Sequence, residues 1–84
     1  MEVAVLLFGA AATREKSDRV TVVVGTEPTV QDVLTALHEQ HPDLRFALPS
    51  AETGRLAVNR SFVRGEHPIR EGDEVALITL VGGG

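Results

Sequence analysis

The sequence predicts an α+β fold: one mixed sheet of about five strands, one main helix on one face, and parallel first and last strands at the sheet centre. Three features of the 84 residues predict it. Each end carries a stretch that is apolar on both faces, the middle carries one helical period, and short β-rich segments lie between them.

Val3-Ala4-Val5-Leu6-Leu7-Phe8 is a continuous apolar run closed by Gly9, the pattern of a strand buried on both faces. Arg19 to Val24 is a second, β-branched stretch, ended by the turn sequence Gly25-Thr26-Glu27-Pro28. Ala10 to Asp18, between them, fits either one helical turn or a polar loop. From Thr29 the period changes: Val30, Val33, Leu34, Leu37 and His41 share one side of a helix. Thr29 supplies the N-cap, with Asp32 three residues on in a variant of the capping box, and Pro42 stops the helix.

Pro42 to Gly54 reads as an irregular connection with a short turn around Leu44, Phe46 and Leu48. Leu56 to Asn59 and Phe62-Val63 are short strands around Arg60-Ser61, a hairpin-sized interruption. Pro68 and the polar turn Arg70-Glu71-Gly72-Asp73 lead into Val75 to Leu80, again apolar on both faces. The order is β-β-α-β-β-β, with the two most apolar strands first and last. Such strands belong in the middle of a sheet, and pairing them in parallel gives the β-grasp, or ubiquitin-like, arrangement. The reading is one domain over residues 1–81 and a flexible glycine tail over 82–84, without internal repeats.

Composition excludes several function classes. Hydrophobic residues make up 43% and charged residues 24% of the chain, which suits a globular domain. The absence of cysteine rules out disulfides, thiolate metal sites and thiol nucleophiles. Eight basic against twelve acidic residues give a net charge of −4, which opposes nucleic acid as a partner. With no Trp or Tyr and three Phe, there is little for bases to stack on. The longest apolar run, Val3 to Phe8, is far short of a membrane span, and the first residues lack a signal-peptide pattern. The expected location is the cytoplasm. The acidic balance also suggests partners that present basic surface near the tail entrance.

One helix covers only one face of a sheet. Val3, Val5 and Leu7 alternate with Ala4, Leu6 and Phe8, and Val75 and Leu77 alternate with Ala76, Ile78 and Leu80. One set meets the helix. The other stays partly bare unless the 42–54 segment or a partner covers it, and a bare apolar patch marks an interface.

Gly82-Gly83-Gly84 directly after the last strand is the most unusual feature. Glycines add no packing, and a loose end is the plain reading. A tail without side chains can also thread a narrow channel, and its last four residues reach at most about 13 Å. The terminal carboxylate is ionised at neutral pH and is a poor electrophile, so chemistry on it needs activation. Adenylation with ATP is the obvious route, after which a sulfur donor gives a thiocarboxylate or an amine gives an amide.

Taken together, LLFGAAATRE, TVQDVLTALHEQHPDL, LAVNRSFV and HPIREGDEVALITLVGGG resemble the MoaD family, the small subunits of molybdopterin synthase within the MoaD/ThiS superfamily of ubiquitin-like sulfur carriers. The most specific parts are the asparagine turn at Val58-Asn59, the Gly72-Asp73-Glu74-Val75 approach to the last strand, and the terminal Gly-Gly. The resemblance implies a sulfur carrier that is not an autonomous enzyme. Gly84 would be the reactive residue, adenylated by a ubiquitin-activating-like enzyme and converted to a thiocarboxylate, with Gly82 and Gly83 in the tail. It implies no bound cofactor, ATP being used by the activating enzyme. It also implies a sulfur donor protein and a synthase large subunit, assembled as a heterotetramer, that builds the dithiolene of molybdopterin. The family's partner surface maps to Phe8, Phe62 and Ile78, and the expected partner interface extends to Leu80 and Val81; Val3, Val5, Leu7, Val75 and Leu77 would then face the helix. The chain departs from the family at Gly82, where a small hydroxyl residue is usual.

Other destinations for the same tail are thiamine, cysteine or tRNA sulfur transfer, or conjugation to lysines; thiamine carriers are usually shorter. A non-catalytic ubiquitin-like binding module is the remaining alternative. His38 and His41 lie one helical turn apart but not at zincin spacing, and no third ligand is near, so no metal site is expected. The reading has His41 ending the apolar face and His38 solvated. Ser17, Ser50 and Ser61 lack a nucleophile motif. Lys16 is the only lysine.

Overall fold

A computed structural model of the chain describes residues 1–8, 18–45, 48, 50 and 55–78. Five strands form one sheet: β1 (Glu2–Leu7), β2 (Arg19–Val23), β3 (Leu56–Val58), β4 (Ser61–Phe62) and β5 (Val75–Leu77). Their order is β2-β1-β5-β3-β4. β1 and β5 run parallel at the centre, with Val5 opposite Val75 and Leu7 opposite Leu77, while the other neighbours are antiparallel. This is the predicted β-grasp arrangement.

The helix α1 spans Val30–Gln40. The Thr29 hydroxyl accepts from the Asp32 amide at 3.3 Å, and the Asp32 carboxylate accepts from the Thr29 amide at 2.9 Å. This reciprocal pair satisfies two donors that a helix start leaves open. Pro42 ends α1 as expected and opens one 3-10 turn, Pro42–Leu44. Val30, Val33, Leu34 and Leu37 go into a core shared with Val5, Leu7, Val75 and Leu77. Leu44 and Leu48 join that same core, so the described part of the 42–54 segment packs on the helix side and not over the opposite face.

At its far edge β2 meets the end of α1. The Gln40 side-chain amide pairs with Val23 in both directions, accepting from its N–H at 2.9 Å and donating to its carbonyl at 2.8 Å. His41 Nε2 lies 2.9 Å from the Thr21 carbonyl; because that oxygen only accepts, Nε2 carries the proton. An edge strand otherwise offers these groups to another chain. His41 is therefore an edge clasp rather than the end of an apolar stripe, and His38 is half-buried rather than solvated.

The hairpin differs from the sequence reading by one residue. The interruption is Asn59-Arg60, with Val58 opposite Ser61, and not Arg60-Ser61. Asn59 and Arg60 have φ of 52° and 70°, the left-handed pair that a two-residue hairpin requires. Asparagine tolerates that region better than most residues, which places the turn on it.

Candidate functional site

The register aligns one row of side chains across the sheet face that points away from α1. Arg19, Leu6, Ala76, Ala57 and Phe62 are opposite one another in turn along β2, β1, β5, β3 and β4. Alternation along each strand puts Phe8 and Ile78 on the same face, two residues beyond Leu6 and Ala76. Phe62 is 68% exposed and Phe8 53% exposed, while Ile78 and Leu6 are half-buried. Ala57 and Ala76 are short enough to sit low between them, leaving a shallow trough. Val23, 61% exposed, adds apolar surface at the other end of β2. The predicted partner residues Phe8, Phe62 and Ile78 thus share the open face, and Val3, Val5, Leu7, Val75 and Leu77 lie in the helix-side core. Leu80, Val81, Gly82, Gly83 and Gly84 lie outside the described residues.

Phe62 is held in place by the turn before it. The Asn59 N–H donates to the Glu74 carbonyl at 2.8 Å, and the Glu74 N–H donates to the Asn59 side-chain oxygen at 3.0 Å. The Asn59 side-chain amide also donates to Asp73 at 3.0 Å, and the second Asp73 oxygen accepts from the Arg70 amide at 2.8 Å. These bonds tie the β3–β4 hairpin to the approach of β5, joining two of the motifs that carried the family resemblance. They also hold the Asp73 carboxyl below its ordinary pKa, first through the Arg70 amide and then through Asn59. The exposed Arg60–Glu74 pair, at 3.6 Å, adds little.

Sequence reading missed the charged border of this face. Ile78 N–H donates to the Arg55 carbonyl at 3.1 Å, so the β3–β5 register continues outward and Arg55 falls beside Ile78. Arg55, Phe62, Val63, Arg64 and Ile78 line a groove of about 480 Å³. With Arg19 at the end of the Leu6 row, three arginines border the Phe8 and Ile78 end of the face, while the same alternation puts the exposed Glu2 and Glu74 on it at the opposite end. The signal was available: Arg55 lies two residues before Ala57 and Arg64 two after Phe62, so alternation alone assigns both to this side.

Among the described residues, no cluster of three or more His, Asp or Glu side chains could hold a metal ion, and no helix is long and apolar enough to cross a membrane.

The model of the ThiS family matches residues 5–84. The chain belongs to the ThiS family. Solved structures of similar fold extend over nearly all of this ThiS-family chain. Small archaeal modifier protein 1 of Haloferax volcanii is 27% identical, with 95% of this chain and 98% of that one covered and a TM-score of 0.76. A putative molybdopterin-converting factor subunit 1 of Pyrococcus furiosus is 18% identical, covering 96% and 99%, with a TM-score of 0.74. A chain from the Helicobacter pylori complex of molybdopterin-converting factor subunits 1 and 2 is 22% identical, fully covered on both sides, with a TM-score of 0.67. No curated protein matches by sequence. The last two likenesses speak to the fold, and all three agree with a β-grasp body.

Proposed function

We propose that this chain is a sulfur carrier acting as the small subunit of a molybdopterin synthase. The observation that carries the reading is the conjunction of a terminal triple glycine with an open apolar face built on β1, β4 and β5. The face docks the body, and the tail, lacking side chains, delivers its carboxylate into the site of another protein. In the activating step, a Gly84 carboxylate oxygen attacks the α-phosphorus of ATP and pyrophosphate leaves. A sulfide-level sulfur nucleophile then attacks the acyl carbon of the mixed anhydride, AMP leaves, and the thiocarboxylate remains. An adenylating enzyme and a sulfur donor protein supply these reactions, and a large subunit consumes the sulfur in dithiolene formation. The Helicobacter pylori neighbour, described as a complex of two subunits of molybdopterin-converting factor, supports such a partnership.

Co-production with an adenylating enzyme and a sulfur donor, followed by intact-mass measurement, tests the reading. The expected product is heavier by the difference between sulfur and oxygen, and the species is absent when Gly83 and Gly84 are deleted. Unchanged mass, with the enzyme active on a known carrier, overturns the proposal. A variant without the two glycines that keeps full cellular function identifies a plain binding module instead.

A second reading is favoured by one specific observation, the 27% identity to small archaeal modifier protein 1. In that reading, the activated Gly84 carboxyl is attacked by lysine amines of other proteins, with AMP as leaving group. A ladder of isopeptide-linked products separates it from sulfur transfer, and co-purification of a thiazole or cysteine synthase would redirect the carrier to those pathways.

A further inference from the structure

We infer that the partner docking on the open face presents carboxylates, held by Arg55 and Arg64, and that this pair sets partner choice; the inference rests on the carrier reading above. Arg55 and Arg64 are both exposed and stand on neighbouring strand extensions. They line two concavities at once: the apolar groove with Phe62 and Ile78, and a cleft of about 360 Å³ on the helix side with Gln31, Leu34 and Leu56. The two residues therefore border both an apolar groove and a more polar cleft, and Arg55 already carries an interaction of its own. The Arg64 side chain has no ion pair or hydrogen bond to another side chain among the described residues.

The setting favours an acidic protein surface. Arginine forks match carboxylates in two-point geometry and lose little hydration on burial. An apolar centre with a charged rim is how protein interfaces divide affinity from specificity. Nucleic acid is the weaker fit, because the chain carries a net charge of −4 and has only phenylalanine for stacking. The same arginines would repel a large subunit or activating enzyme with a basic docking face, so one face discriminates among partners before the tail engages.

The test uses full-length chain and the molybdopterin synthase large subunit of the same organism, titrated calorimetrically at low and high salt. Wild-type binding should weaken severalfold or more with added salt. The double variant Arg55→Glu/Arg64→Glu should bind on the order of 100-fold more weakly at low salt, with most of the salt dependence gone. Reversing a facing carboxylate of the large subunit to arginine should recover part of the loss. Circular dichroism establishes that the variant is folded. If the double variant binds like wild type while Phe62→Lys does not bind, the inference is overturned and the carrier reading stands. If wild type fails to bind the large subunit, the partner assignment itself falls, and the inference with it. Tighter binding of a single-stranded RNA oligonucleotide than of the large subunit would also overturn it.

Discussion

At Arg60 a long side chain occupies a backbone conformation, φ of 70°, that glycine adopts without strain. Arg60→Gly should therefore stabilise the chain by about 0.5–1 kcal/mol, read as a higher urea midpoint, since the lost Arg60–Glu74 pair is exposed. Asn59→Ala should act in the opposite sense. It removes the bonds to Asp73 and Glu74 and places a Cβ in the left-handed region without compensation, for a loss of about 1–2 kcal/mol. Asp73 adds a pH signature. Its folded pKa lies below the ordinary 3.8, so its stabilising contribution is complete above that value and is lost as pH falls through the folded pKa. In Asp73→Asn the acid limb of the stability curve below 3.8 should flatten, and the variant should be weaker at neutral pH.

Among the elements, the edges are where the fold is most exposed to error. β4 is two residues long, and β2 has its outward groups at Thr21 and Val23 taken by His41 and Gln40. Gln40→Ala should lower stability by about 1 kcal/mol. It should also speed hydrogen exchange at the Val23 amide and raise light scattering at high concentration, as an uncapped edge invites pairing. Most elements were legible because their signals are local: the capping box at Thr29 and Asp32, the helical period to Leu37, and the apolar runs that became β1 and β5. The clasp was not legible, because it joins Gln40 to Val23 across a helix that had first to be folded back onto the sheet. The hairpin slip has a similar cause. Arg60 in the left-handed region runs against its own preference, and only the register with Ser61 fixes it there.

For the whole molecule, strand alternation put Phe8 and Ile78 on one face and family likeness added Phe62, which the sheet register places there too, whereas the arginines at one end of that face were hidden in an acidic average. Net charge sums over the surface; docking responds to one side of it. Phe62→Lys should leave the melting temperature nearly unchanged, because the ring is already 68% exposed. It should reduce affinity for the large subunit by at least about thirtyfold if the ring lies at an interface centre, measurable in the same titration.

The parallel pairing of β1 with β5 sends Phe8 and Ile78 out of the same end of the sheet. Met1 is held at the opposite end, its amine donating to the Val24 carbonyl at 2.9 Å and its own carbonyl accepting from Val24 N–H at 2.8 Å. An amide nitrogen made by extending the chain there keeps one proton for that first bond. A purification handle, fluorophore or resin attached to the amino terminus would accordingly sit roughly a strand length, about 20 Å, from the outlet of the last strand. Immobilised that way, the molecule would turn the Phe8 and Ile78 end of its open face away from the support.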